Sequence, residues 1–192
     1  HSTDKWLRRI CNAGVEMVNI TPLRNDTPDY MNAQWLAPRP NSDVALMLGL
    51  AHTLVSEGLH DPAFLKQYCT GYARFEPYLL GATDGTPKNA EWAAEITGVA
   101  AEDIYQLAKD LATEQPAAIR MGVALERHFG GGQTIRAVTC IPGLTGAWRH
   151  VGGGITQFPV WEHPYKFDVI CRPDFIPEGT RVINALQIGR AL

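Results

Sequence analysis

The chain has 192 residues, of which 45% are hydrophobic, and its 17 basic and 20 acidic side chains give a net charge of -3. Such a chain can bury a core of ordinary size, and its charge excludes a polycationic surface for nucleic acid or an anionic membrane. We expect no membrane span, because no apolar stretch approaches the roughly 20 residues required. The cysteines and histidines are scattered and show no metal-ligand spacing.

The first predicted elements are a helix and a strand. The pattern over residues 4–12 predicts the helix, Gly14 is suited to end it, and the alternation over 15–20 predicts the strand. Because a helix precedes the first strand, we expect the sheet to be incomplete at its N-terminal side. An uncovered sheet edge there would favour a homodimer of the chain.

A turn and a strongly apolar helix come next. Residues 34–37 suit an extended segment, and apolar residues from Val44 to Gly58 predict a helix buried on one broad face. Asn41, Ser42 and Asp43 stand at its start, where free N–H groups, an amide, a hydroxyl and a carboxylate suit a nucleotide, and a carboxylate can accept two N–H bonds from guanine. The alternative is that Asp43 simply caps the helix.

The middle of the chain alternates between helices and a strand. Asp61-Pro62 and Thr86-Pro87 each place a capping side chain before a proline, which predicts a helix start at both positions. An amphipathic stripe over 104–112 predicts another helix, and 117–123 suits a central strand. This order predicts an α/β fold, a Rossmann-like three-layer domain with a mostly parallel sheet.

Glu126 and a run of glycines follow that strand and precede a helix predicted over 133–147. A strand, a glycine loop and a helix N-terminus can cradle an anion, but there is no GxGxxG or GK[ST] motif, so a flexible turn is the alternative. Glu126 could accept hydrogen bonds in a pocket, and the alternative is that it faces solvent. From Val151 onward glycines and prolines predict a connector, and 181–192 regains helical character. We therefore assign residues 1–157 to the α/β domain and 158–192 to a connector and the start of the next segment.

Several blocks in order carry a family resemblance. They are VNITPLRNDT, WLAPRPNSDVALMLGLAHTLVSEGLHDPAFLKQY, DGTPKNAEWAAEITGVAAEDI, MGVALERHFGGGQTIRAV, LTGAWRHVGGG and GTRVINALQIGRAL. Together they resemble the molybdopterin oxidoreductases of the dimethyl sulfoxide reductase family over nearly the whole chain. The first half is most similar to the trimethylamine N-oxide and biotin sulfoxide reductase branch.

The resemblance implies the cofactor and its contacts. In that family a much longer polypeptide holds molybdenum between two molybdopterin guanine dinucleotides, often with a 4Fe-4S cluster elsewhere. It implies that Ile20, Thr21, Pro22, Leu23 and Arg24 line the guanosine ribose and phosphate, and that Asn41, Ser42 and Asp43 hold the guanine. It also places the segment that contains Gly122, Val123 and Glu126 near the pterin.

Two positions depart from the family pattern. Thr21 stands where an Asp is common, and a threonine hydroxyl makes one ribose contact without charge assistance. Glu126 stands where many relatives have Gln, so either Arg127 or Arg120 offsets its charge or its pKa is raised.

The resemblance also sets limits on this chain. The family's molybdenum ligand and cluster cysteines lie upstream of the matched region, so we expect the chain alone to be catalytically inert within a parent that performs two-electron redox or oxygen-atom transfer. Expected partners are the parent's other domains, the guanine dinucleotide cofactor and an electron-transfer subunit. The alternatives are a stand-alone nucleotide-binding or interaction module and a nicotinamide-dependent dehydrogenase domain, which the missing glycine fingerprint disfavours.

Overall fold

A computed structural model describes residues 2–157, 166–183 and 189 of the chain. The chain divides into two units, His1–Phe158 and Pro159–Leu192, which are described separately. The helices are α1 (Ser2–Asn12), α2 (Asp43–Ser56), α3 (Pro62–Tyr68), α4 (Tyr72–Leu79), α5 (Ala90–Thr97), α6 (Ala101–Thr113), α7 (Gly131–Thr145) and α8 (Phe167–Cys171). Short 3₁₀ helices span Arg24–Asp26, Asp29–Met31, Val123–Glu126, Ala147–Arg149 and Pro173–Phe175.

The described strands are short and form two parallel pairs. Strand β1 (Val18–Ile20) pairs with β2 (Gln34–Leu36), and β3 (Ala118–Arg120) pairs with β4 (Gly154–Thr156). The α/β class and the parallel pairing are confirmed, but the strands are shorter than predicted and the two pairs are separate. The single sheet of a three-layer Rossmann-like domain, the missing N-terminal strand and the homodimer stay predictions.

Helix α2 is the centre of the first unit. Ten of its fourteen residues are buried, and it packs against α5, α6 and α7. The prediction of one buried face was therefore wrong, because an apolar sequence on all sides of α2 is covered by three helices. Gly49 permits the closest approach, since a Cβ there would lie 2.6 Å from the Cβ of Ala93 in α5.

Two similar sequence signals gave different outcomes. Asp61 caps α3 through a hydrogen bond from the Phe64 amide to Oδ1 (2.8 Å), with Pro62 in the first turn, as predicted. The helix predicted at Thr86-Pro87 was wrong, because α5 begins after Asn89, whose Oδ1 accepts from the Trp92 amide (2.9 Å). Helix α4 carries a proline inside it, and the sequence did not predict it.

The loop before α5 is fixed by the contacts of a buried lysine. Lys88 is 4% exposed, and its ammonium forms a salt bridge with Asp84 (2.7 Å) and donates to the carbonyl of Thr86. It also lies 4.6 Å from the ring centre of Tyr78. These contacts fix 84–88 as an irregular loop and explain why the proline there starts no helix.

The second unit contains little regular structure among its described residues. It has α8 and the 3₁₀ helix Pro173–Phe175, and an Arg172–Asp174 salt bridge (2.6 Å) closes the turn between them. The helical character predicted for 181–192 does not extend to 181–183, which are irregular, and most of the remaining residues lie outside the described set. The boundary predicted at residue 157 stays a prediction. In the described ranges no helix has the length and hydropathy of a membrane span.

Candidate functional site

The loop that follows β1 is joined to the end of β2. Ile20 pairs with Leu36 at the carboxyl ends of the two strands, and the Thr21 amide continues the ladder by donating to the Leu36 carbonyl (3.0 Å). The indole N–H of Trp35 donates to the Thr21 carbonyl (2.9 Å). Thr21 is therefore a fixed, half-buried position, whereas the predicted contacts Pro22, Leu23 and Arg24 are exposed.

A polar cavity of about 430 Å³ lies beside this loop. The Arg24 guanidinium lies 5.8 Å from the centre of the Trp35 ring, so a cation and an aromatic face stand together on its wall. The remaining lining residues are Asn19, Thr27, Pro28, Asp29, Asn32 and Ala33. A cavity with these side chains suits a polar ligand that carries negative charge.

The predicted guanine turn lies at the N-terminus of α2. Asn41 has a left-handed backbone (φ 66°) and is exposed, whereas Ser42 is 7% exposed. Ser42 occupies the cap position, but its hydroxyl donates backwards to the Arg39 carbonyl (2.5 Å) and makes no cap hydrogen bond. Asp43 is the first residue of the helix rather than its cap. The alternative that Asp43 simply caps α2 was therefore wrong.

Arg39 attaches this turn to α5. Its guanidinium donates to the carbonyls of Glu95 (2.6 Å) and Ile96 (3.0 Å), and its amide donates to the Thr97 carbonyl (2.7 Å). A cation is favourable at a helix C-terminus, where carbonyl groups are free. The start of α2 is thus held against the end of α5, and the side chain of Asp43 is left without a hydrogen bond or ion pair within the described residues.

The predicted pterin segment follows β3. Gly122 is exposed, and Val123–Glu126 form a 3₁₀ helix rather than the end of a strand. Glu126 is exposed and pairs with neither Arg127 nor Arg120 in the described part of the chain, because Arg120 donates to the Thr156 hydroxyl (3.2 Å). Of the two alternatives for Glu126, an ion pair with one of these arginines is thus not present among the described residues, and the role of its charge stays a prediction.

The glycines after this segment serve packing. A Cβ on Gly131 would lie 2.5 Å from the Glu126 carbonyl oxygen, so only glycine lets the start of α7 approach this backbone. Gly130 has a left-handed backbone (φ 78°) at the N-terminus of α7, and Gly132 has open space around it. The structure accordingly gives Gly130 and Gly131 structural roles and makes them part of a turn into the helix.

The three predicted segments fall into two groups. Residues 20–24 begin at the carboxyl end of β1 and residues 41–43 come after the carboxyl end of β2, the edge at which ligands bind in open α/β folds. Residues 122–126 follow β3 in the other strand pair, and the packing of α7 on both this segment and α2 connects them to the first group.

An apolar cavity of about 220 Å³ lies between α2 and α7 and includes Val44 and Gln133 from their first turns. Burial, with a smaller effect of Cys69, raises the pKa of the Cys140 thiol on its wall. The thiol is therefore protonated at neutral pH.

Three residues of this region were not predicted from the sequence as site residues. Trp35 stands opposite Asn19 in the strand register and faces the polar cavity, Arg39 anchors the turn, and Asp26 accepts a hydrogen bond from Thr21 (2.6 Å). The RPNSD sequence contained the signal for Arg39, a cation two residues before the turn. No local pattern indicates Asp26, because its role depends on the fold of the loop.

No metal ligands converge in the part of the chain that the structure describes, where no group of three His, Cys, Asp or Glu side chains could hold an ion. The described site therefore consists of a helix N-terminus with a free carboxylate, a loop with an arginine, and a cavity.

Comparisons with known proteins agree with the resemblance. The family model for molybdopterin oxidoreductase matches residues 3–189. A trimethylamine-N-oxide reductase of Haemophilus influenzae is 43% identical over 80% of this chain and 19% of its own length. A biotin sulfoxide reductase of Cereibacter sphaeroides is 39% identical over 81% of this chain and 21% of its own length.

A solved structure is also similar to this chain. The acetylene hydratase from Pelobacter acetylenicus has a TM-score of 0.69 and 27% identity, over 80% of this chain and 20% of that one. The chain therefore spans about a fifth of the length of the proteins it matches.

Proposed function

The chain belongs to the molybdopterin oxidoreductase family, and we propose that it binds the guanosine end of one molybdopterin guanine dinucleotide. The observation that supports this most is the turn at Asn41, Ser42 and Asp43. It presents the N-terminus of α2 without a side-chain cap and leaves the Asp43 carboxylate without a partner in the described part of the chain. A carboxylate at such a point can accept two N–H bonds from the guanine edge.

The neighbouring residues fit the rest of the nucleotide. Arg24 on the cavity wall supplies a positive charge for a phosphate, and the uncapped amides of α2 favour an anion. Ser42 holds the turn in place, because both its amide and its hydroxyl donate to the Arg39 carbonyl. The segment that contains Gly122, Val123 and Glu126 would then line the pterin, as the resemblance implies.

We propose the enzyme activity for a parent polypeptide and not for this chain alone. In the bound state the molybdenum cofactor supplies two-electron redox or oxygen-atom transfer on a small substrate. The residues of this chain orient the cofactor and offset its phosphate charge. A 4Fe-4S cluster, the molybdenum ligand and an electron-transfer subunit would be contributed from outside the chain.

Calorimetric titration with GDP tests the proposal, with ADP as the nucleotide control. We expect GDP to bind more tightly than ADP. Asp43→Asn should lower the ratio of GDP affinity to ADP affinity by at least about 10-fold, because its new amide N–H donor faces the N–H donors of guanine. Asp103→Asn, an exposed acidic residue in the first turn of α6, is the matched control. Equal binding of the two nucleotides by the wild-type chain would contradict the proposal.

A further inference from the structure

The hydrogen-bonding groups of Thr21 are committed within the chain. Its amide donates to Leu36 (3.0 Å), and its carbonyl accepts from Trp35 (2.9 Å). Its hydroxyl donates to Oδ2 of Asp26 (2.6 Å) and accepts from the Leu23 amide (3.3 Å). A hydroxyl has a single proton, so Thr21 has none left to donate and keeps only one weak acceptor position. The expected ribose contact from Thr21 is therefore poorly supported.

Asp26 instead places a carboxylate next to the Thr21 hydroxyl. It ends the 3₁₀ helix Arg24–Asp26, which turns the chain back towards the carboxyl end of β1, and it is exposed. Within the described residues the bond from Thr21 is the only hydrogen bond of its carboxylate. A carboxylate offers about four acceptor positions, so most of its capacity is open to a ligand.

We propose that the Asp26 carboxylate accepts hydrogen bonds from the 2′- and 3′-hydroxyls of the guanosine ribose, and that Thr21 holds it in place. This inference rests on the proposed function. A vicinal diol presents two O–H donors side by side, and two carboxylate oxygens match them with charge-assisted bonds. Asp26 therefore makes the site selective for a ribonucleotide over a 2′-deoxyribonucleotide.

The charge of the loop is consistent with this assignment. Arg24 belongs to the same 3₁₀ helix as Asp26, and its guanidinium lies over the Trp35 ring on the cavity wall. A nucleotide diphosphate brings its own negative charge, which would oppose an isolated carboxylate. With Arg24 two residues away, the loop offers a cation for phosphate and an acceptor for ribose without a net charge from this pair.

A purely structural role for Asp26 is the competing explanation, since the Thr21 bond also closes the loop. Titrations with GDP and with 2′-deoxy-GDP separate the two, because only direct ribose contact depends on the 2′-hydroxyl. The variant is Asp26→Asn, whose amide oxygen still accepts from Thr21 and so preserves the loop. Glu16→Gln, which removes one exposed carboxylate just before the opposite end of β1, is the matched control.

We expect the wild-type chain to bind GDP about 10-fold or more tightly than 2′-deoxy-GDP. Asp26→Asn should reduce this ratio to about 3-fold or less, because it weakens the binding of GDP, which makes both hydroxyl contacts, more than the binding of 2′-deoxy-GDP, which makes only the 3′ contact; Glu16→Gln should alter neither affinity. Equal weakening of both nucleotides, or no change, by Asp26→Asn would overturn the inference. If guanine selectivity and its loss in Asp43→Asn persist in that case, the proposed function stands. If the wild-type chain binds GDP no better than ADP, the proposed function itself fails, and the inference with it.

Discussion

The carbonyl oxygen of Arg39 accepts two hydrogen bonds from Ser42, one from its amide (3.2 Å) and one from its hydroxyl (2.5 Å). This double contact closes the turn that contains Asn41 in its left-handed conformation. Because Arg39 is itself bound to the end of α5, the turn has a fixed orientation before any ligand arrives. A fixed turn lowers the ordering cost of binding.

Ser42→Ala should loosen this turn. The change removes the buried hydroxyl contact to Arg39 and leaves the amide contact, so we expect the free energy of unfolding to fall by about 1 kcal/mol. We also expect weaker binding of GDP, because Asp43 follows directly. Urea unfolding and calorimetry measure the two effects. Ser56→Ala is the control, since its hydroxyl makes a longer contact (3.4 Å) at an exposed position near the end of α2. A smaller effect of Ser42→Ala than of Ser56→Ala would contradict this account.

Gly131→Ala and Gly132→Ala should change stability in opposite directions. A Cβ at Gly131 would overlap the Glu126 backbone at 2.5 Å, so the 3₁₀ helix before it must move, at a cost of about 1–3 kcal/mol. Gly132 has no neighbour within 4 Å and lies in the first turn of α7, so alanine there should stabilise by about 0.5–1 kcal/mol. Thermal or urea unfolding of the two variants checks both signs. Equal effects would show that the close approach at Gly131 is not required.

The sequence predicted those helix starts that depend on neighbouring residues alone. Asp61-Pro62 forms a capped start, and the helix from Val44 is present as α2, because cap, proline and apolar spacing act over a few residues. Thr86-Pro87 has the same local pattern, but the helix predicted from it does not begin there. The ammonium of Lys88 binds Asp84 and the Thr86 carbonyl beneath two aromatic rings, and this burial is set by tertiary packing.

In the candidate site, too, some features follow from neighbouring residues and others depend on the tertiary fold. The position of Asn41, Ser42 and Asp43 at a helix N-terminus followed from their order in the sequence. The commitment of the Thr21 hydroxyl to Asp26 could not be predicted, because it requires the 3₁₀ helix that turns residue 26 back towards residue 21. Contacts made through irregular backbone have no periodic signal in the sequence.

Asp61 offers a test of two contributions to stability in one side chain. Its Oδ1 caps α3, and its Oδ2 pairs with the guanidinium of Arg149. Asp61→Asn keeps a capping oxygen and loses the charge, so we expect a loss below about 1 kcal/mol, as for a partly exposed ion pair. Asp61→Ala loses both and should cost about 1–2 kcal/mol. Urea unfolding of the two variants ranks the contributions.

Arg149→Gln completes this comparison. If the ion pair is weak, Arg149→Gln should lower stability about as little as Asp61→Asn, and the double variant should add nothing further. A cost for Asp61→Asn equal to that of Asp61→Ala would instead assign most of the stability to the charge rather than to the cap.

Tyr72 should make the stability of the fold depend on alkaline pH. Its hydroxyl donates to Oε1 of Glu76 (3.0 Å) and lies 3.3 Å from Nε2 of His60. Burial, with help from the bond to Glu76, raises the pKa of Tyr72 from 10.0 to about 12. The folded state therefore holds the phenolic proton more tightly than the unfolded state. This stabilisation is fully present below pH 10 and is lost as pH rises towards about 12.

Urea unfolding across this alkaline range, in the wild-type chain and in Tyr72→Phe, measures the contribution. We expect the variant to be less stable at neutral pH, because the bonds to Glu76 and His60 are absent, and we expect the difference from wild type to shrink above pH 10. Tyr68→Phe, a change at a side chain that is 62% exposed, is the control for general alkaline effects. A difference that stays constant with pH would mean that Tyr72 ionises equally in both states and that its hydrogen bonds do not hold the proton.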